Sequence, residues 1–289
     1  MQYVYYSVAF LVAVVALLLV VNRPQYVQID APIPAAFQGT TFPHDSFEQL
    51  LHQWVSDDGK IDYEGWHASS ASVATLNGYL AAVSSISPIS APERFAMRSD
   101  ELAYWLYAYN AYVIKSVLDH WPVASVTDVK APIEAVKGLG FFYRQRYEFG
   151  GKYMSLLYVE NTIIRKGYQD ARIHFVLSCA SESCPIVRPD LPTGAALESF
   201  LATAATEFAS DPGNITVDHQ AREVILSRIF KWYRGDFENA VRLAGKAGKE
   251  GLIAYAQSIA PEPLASELAD ASDYEVVFNE YDWALNSAQ

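Results

Sequence analysis

The apolar and polar positions of this chain fall into two regimes. Residues 3 to 21, YVYYSVAFLVAVVALLLVV, form nineteen uncharged positions that end at Asn22-Arg23-Pro24; at helical rise they span roughly 28 Å, close to the hydrocarbon thickness of a bilayer. No basic leader, short apolar core or small-x-small site precedes Pro24, so the pattern predicts a retained N-terminal transmembrane helix over 1–23 instead of a cleaved signal peptide. A tether containing Pro24, Pro32, Pro34 and Pro43 follows over 24–44, and the rest, 45–289, reads as a single globular domain.

Within that domain, Phe47, Leu50, Leu51, Trp54 and Val55 recur at helical spacing behind the cap residues Asp45 and Ser46, predicting a helix over 46–56. Further helices are predicted over 72–84, 155–166, 195–208, 228–233, 237–246 and 250–259. The strongest, over 99–120, follows Leu102, Trp105, Leu106, Tyr109, Val113, Val117 and His120 up to Pro122. Strands are predicted at 141–148 and 152–154 around Gly150-Gly151, at 173–178, in a hairpin of 214–218 with 223–227, and at 275–281. Helices before and between short strands imply an α+β fold in which a small, mostly antiparallel sheet packs on several helices. Neither strict β-α-β alternation nor a phosphate-binding glycine loop is present; Lys137-Gly138-Leu139-Gly140 lacks the partners of one.

Composition narrows the function classes. With 51% hydrophobic and 13% aromatic residues the chain can bury a large core, and a formal charge of −12 excludes a phosphate-backbone partner. No nucleic acid is therefore expected, and the partners predicted are the membrane, through the N-terminal helix, and a protein or small molecule of unknown identity. The terminal amine and Arg23 balance each other across the anchor, so charge does not orient it. Two closely spaced cysteines lean toward an oxidising compartment, giving a single-pass inner-membrane protein with its domain outside the cytoplasm.

The chemistry concentrates in Arg172-Ile-His174-Phe-Val-Leu-Ser-Cys179-Ala-Ser-Glu182-Ser-Cys184-Pro185-Ile-Val-Arg188, which holds both cysteines of the chain. Three readings fit it. Cys179 and Cys184 can close a short disulfide loop that shapes the site, since a small loop adds little chain entropy. Cys184 can be a nucleophile with His174 as base and Glu160 orienting it. His174, Cys179, Cys184 and Glu182 can meet a zinc ion, though their spacing is poor for a knuckle, and neither metal nor cofactor is expected. Asn110, a lone amide among large apolar residues, must find partners if buried and is read as a brace for the cysteine loop. With Cys179, Glu182 and Arg188 it makes up the residues expected to bind or to shape the site. Trp105, Tyr109 and Tyr112 are read as core, and Asp236 and Asp282 as caps or backbone partners.

Several ordered stretches resemble the domain of unknown function 547 family of bacteria and plants: Leu102 to Ala111, Trp121-Pro122-Val-Ala-Ser125-Val, Ser155-Leu156 through Glu160 to Arg165, Arg172-Ile-His174-Phe-Val-Leu, Ser183-Cys184-Pro185, Phe230-Lys-Trp232-Tyr233 with Asp236-Phe237, and Tyr281-Asp282-Trp283-Ala-Leu285-Asn286. The resemblance runs from about residue 45 to 286. It implies one globular domain, often exported or membrane-attached in bacteria, without an established reaction. Where that family commonly carries Ile-Glu-His, this chain has Val159-Glu160-Asn161. The function expected is a membrane-anchored, extracytoplasmic binding or scaffolding domain; the alternative is a cysteine-dependent hydrolase or transferase of the cell envelope using Cys184, His174 and Glu160.

Overall fold

A computed structural model describes residues 21, 23–134, 136–245 and 251–288. Its centre is the helix Arg98–Asp119, whose residues from Leu102 to Leu118 are buried on nearly every face, the signature of a helix enclosed by other elements and not lying on a surface. Trp105, Tyr109 and Tyr112 are core, as their spacing predicts. The tyrosines of this helix satisfy their hydroxyls as buried phenols must: Tyr104 donates to the Val83 carbonyl at 3.1 Å, Tyr107 to Pro192 at 2.5 Å and Tyr112 to Glu148 at 2.6 Å. Fully burying a side chain of this size is worth about 1.5–3 kcal/mol, so this one helix anchors much of the fold.

Around it lie Asp45–Trp54, Tyr63–Ala68, Ser70–Ser85, Ala196–Ser210, Arg228–Trp232, Arg234–Leu243, Leu252–Ile259 and Leu264–Asp270. Tyr63–Ala68 and Leu264–Asp270 are additions to the predicted set; both are short, and the Asp62 side chain, which accepts from the Gly65 amide at 2.8 Å, is what starts the first. Phe37 and Phe42, within the proline-rich stretch 24–44, are buried in the same hydrophobic cluster that reaches to Leu285.

The fold is α+β, with two three-stranded mixed sheets in place of the one mostly antiparallel sheet expected. In one, Gln25–Tyr26 pairs parallel with Gln145–Phe149, which pairs antiparallel with Lys152–Met154. Gly150 and Gly151 make the intervening turn with φ of 55° and 80°, conformations that only glycine adopts without strain. In the other, Ile215–Asp218 pairs antiparallel with Glu223–Leu226, which pairs parallel with Glu275–Phe278.

Two local predictions are corrected. The predicted strand 173–178 is a 3-10 helix, Ala171–Phe175, followed by an irregular turn. Asp170 starts it by accepting from the Arg172 amide at 2.9 Å, and the backbone beyond it is paired by a side chain instead of by a strand. The predicted helix 155–166 starts behind its Ser155 cap, yet its centre, Val159–Arg165, is a π-helix. Such segments re-aim side chains and occur often at functional sites.

The membrane expectation is also corrected. No helix among the described residues is long and apolar enough to cross a membrane, and residues 1–20 of the predicted anchor lie outside the described residues. The transmembrane helix, the membrane as partner and the single-pass inner-membrane location are therefore not supported by the structure.

Candidate thiol site

Beyond the 3-10 helix the chain turns sharply, Ala180 taking φ of 56° and Cys184 donating its amide to the Ser181 carbonyl at 2.9 Å. This turn brings the two cysteines together. Asn110 holds its base: its Nδ2 donates to the Val176 carbonyl at 2.8 Å and its Oδ1 accepts from the Ser178 amide at 2.9 Å. The far side is clamped by the segment 282–286, where Glu182 donates its amide to Ala284 at 2.8 Å and Asn286 donates to Ala180 at 3.3 Å. That segment is itself held by the Tyr63 hydroxyl on Asn286 Oδ1 at 3.0 Å.

Both cysteines are free thiols in this structure and partly accessible. Their Sγ atoms lie 2.9 Å apart, in contact through a hydrogen bond. Cys179 Sγ also meets the Tyr281 hydroxyl at 2.9 Å and the Ser181 hydroxyl at 3.1 Å, while those two oxygens are 2.8 Å from each other. Cys184 Sγ accepts the Cys179 amide at 2.9 Å. The surroundings split the pair. The Cys179 thiol is held below its ordinary range by its hydrogen bond with Cys184, with Ser181 and Tyr281 adding to this against the opposing effect of burial. Cys184 is pushed well above its own range by burial and by its bond to Cys179. Tyr281 stays protonated, burial and the neighbouring sulfur both raising it. The surroundings thus drive the two proton affinities apart, Cys179 downward and Cys184 upward.

The thiols open on a small cavity of about 40 Å³ lined also by Tyr109, Glu160, His174, Trp232, Tyr233 and Tyr281. Glu160 and His174 thus stand in the same cavity as the cysteines, yet neither is hydrogen-bonded to a sulfur. Glu160, aimed inward by the π-helical turn, accepts from Tyr233 at 2.5 Å and Tyr109 at 3.3 Å. His174 stacks on Tyr233 at 3.8 Å between ring centroids and binds Asp236 Oδ2 through Nε2 at 2.8 Å. Burial lowers the His174 pKa, keeping the ring neutral, against the pull of Asp236. For Asp236, burial would raise the carboxyl, but hydrogen bonds from His174 and Arg165 outweigh it and hold it at about 2; Arg165 Nε lies 2.6 Å away. Asp236 is therefore a partner of the site, not a helix cap, whereas Asp282 does serve backbone, accepting from the Ala284 amide at 2.8 Å.

Of the remaining predicted residues, Glu182 is paired with Lys60 at 3.2 Å and Arg188 with Glu207; they are not in the small thiol cavity, but both line a neighbouring cleft of about 160 Å³ that Cys184 also borders. His174, Cys179, Cys184 and Glu182 do not gather as a ligand set; among the described residues the group close enough to hold a metal ion is Glu48, His52 and Asp190. Sequence reasoning missed Asp236, Tyr233 and above all Tyr281. A larger open cleft of about 1140 Å³ is lined by Arg165, Lys166, Arg234, Asp236 and Arg242 among others; its Asp236 carboxylate binds His174 of the thiol cavity.

Fold and site together define an α+β protein built around a paired-thiol cavity. Residues 92–209 match the family model described as a protein of unknown function, DUF547. The match includes Asn110, Glu160, His174 and both cysteines, but ends before Tyr233, Asp236 and Tyr281. No match was found among curated proteins or among solved structures.

Proposed function

We propose that this chain is a thiol redox protein in which Cys179 and Cys184 cycle between dithiol and disulfide, Cys179 attacking as thiolate and Cys184 resolving. The observation that carries this reading is the 2.9 Å separation of two free sulfurs whose proton affinities are driven apart. Forming a bond of about 2.05 Å from that contact asks less than about 1 Å of motion, and oxidation removes two electrons and two protons from the pair. The reading replaces the tethered binding or scaffolding module.

A second reading, thiol-dependent acyl transfer, draws support from the His174–Asp236 pair, in which Asp236 takes the orienting role first given to Glu160. Against it stand the small volumes at the thiols, about 40 Å³ in the shared cavity and about 160 Å³ beside Cys184, both below the several hundred Å³ of ordinary substrate pockets. Intact mass of the reduced protein before and after diamide tests the first reading. Loss of two hydrogens, restored by dithiothreitol and abolished by Cys179→Ser or Cys184→Ser, is expected. A pair that never closes overturns it, and ester hydrolysis surviving in Cys184→Ser would favour the second.

A further inference from the structure

The cavity beside the sulfurs measures about 40 Å³, room for a few water molecules at the roughly 10–15 Å³ each needs by this measure. Cys184 also borders a neighbouring cleft of about 160 Å³, while Cys179 borders the small cavity, which a whole peptide or glutathione molecule does not enter. A molecule of two oxygens does. Its walls are suited to such a guest: Tyr281 and Ser181 hydroxyls surround the Cys179 sulfur, able to donate to an oxygen that gains charge beside it. The partner sulfur already touches Cys179 at 2.9 Å.

Resting on the dithiol reading above, we propose that the oxidant this site takes is hydrogen peroxide, with Cys179 as the peroxidatic sulfur and Cys184 as the resolving one. Cys179 thiolate attacks one peroxide oxygen; the S–O bond forms as the O–O bond breaks, and the departing hydroxide takes a proton to leave as water. Sulfur is oxidised by two electrons to the sulfenic acid and peroxide is reduced. Cys184 then attacks the sulfenic sulfur, its proton leaving with the hydroxyl as a second water while the S–S bond forms. Two thiols and one peroxide give one disulfide and two waters. Contact between the sulfurs means that the sulfenic acid is consumed where it is made, ahead of further oxidation.

The test treats reduced full-length protein separately with hydrogen peroxide, tert-butyl hydroperoxide and diamide, following bridge formation by intact mass over time. Hydrogen peroxide should close the bridge faster than tert-butyl hydroperoxide by about tenfold or more, the lower end of what a pocket gains by rejecting an excess group, and faster than it oxidises free cysteine. In Cys184→Ser a dimedone-reactive sulfenic acid should persist on Cys179; in Cys179→Ser the rapid reaction should vanish. Closure by diamide at end point, with peroxide no faster than on free cysteine, overturns the peroxide inference and leaves the dithiol reading intact. Failure of every oxidant to close the bridge overturns both. Equal rates for the two hydroperoxides overturn size selection, and a fast reaction surviving in Cys179→Ser but lost in Cys184→Ser overturns the assignment of roles.

Discussion

Tyr281→Phe removes one hydroxyl from the sulfur of Cys179 and little else, because the ring keeps its contacts with Trp232 at 4.7 Å and Trp283 at 4.6 Å. The lost partner sits 2.9 Å from Cys179 Sγ. A hydrogen bond to a charged group is worth about 1.5–3 kcal/mol net, and about 1.4 kcal/mol corresponds to one pKa unit. The Cys179 thiol should therefore titrate about one to two units higher in the variant. Alkylation below the pKa should slow by less than the thiolate fraction falls, since a more basic thiolate is more nucleophilic; with a Brønsted slope near one half the net loss is about three- to tenfold. Ultraviolet absorbance of the thiolate as a function of pH, and iodoacetamide kinetics, both in a Cys184→Ser background, read the two quantities. Because Ser181 and Tyr281 also touch each other at 2.8 Å, Ser181→Ala should couple to Tyr281→Phe in a double-mutant cycle. A folded Tyr281→Phe protein whose thiol titrates where the parent's does would refute Tyr281 as a thiolate donor.

Asn110→Ala strands the Val176 carbonyl and the Ser178 amide; it should cost about 2 kcal/mol and lower Tm by several degrees, with faster hydrogen exchange confined to the 176–184 turn, as calorimetry and exchange mass spectrometry would register. Asp236, held at about 2 in the folded chain against an ordinary 3.8, contributes stability that is present above pH 3.8 and lost as pH falls through 2. The gap in unfolding free energy between parent and Asp236→Asn should accordingly shrink by up to about 2 kcal/mol over that window, less where solvent screens the partly exposed carboxylate. Denaturant titrations at several pH values would show a constant gap if the reasoning fails. Deleting 275–289 removes the parallel partner of 223–226 and the clamp on the cysteine turn. It should cost more than about 5 kcal/mol at roughly 1 kcal/mol per lost backbone bond, and an unchanged melting transition would show that the region 45–286 does not fold as one unit.

Elements whose pairing is internal were the legible ones. The helix Arg98–Asp119 and the hairpin Ile215–Asp218 with Glu223–Leu226 announce themselves because period and turn residues lie within one short window. The stretch 173–178 misleads because its β-favouring residues are real, while the partner of its backbone is the Asn110 side chain from another helix. Asn110 itself was readable as a brace from its polarity alone. Glu160, His174 and the cysteines are recognisable by residue type and do share a cavity, but their hydrogen bonds depend on the π-helical turn that brings Arg165 to Asp236, for which no sequence period exists. Which thiol has the lower proton affinity is set first by the contact of Cys179 with Cys184 and then by Ser181 and Tyr281, the last a convergence across the fold that local pattern does not encode.

The separation of 102 residues between Cys179 and Tyr281 has a temporal meaning. A nascent chain that has just passed Cys184 possesses both sulfurs and none of the donor that quietens the charge on the first. At a synthesis rate of about 5–20 residues per second, the missing hydroxyl follows some 5–20 s later, and only after the 282–286 segment has folded back on the turn does it arrive. Throughout that interval Cys179 is an ordinary solvated thiol, without the hydroxyl that lowers its proton affinity in the folded chain. A chain stalled or clipped before residue 281 stays in that ordinary condition, so the titration of one sulfur reports whether Tyr281 has docked.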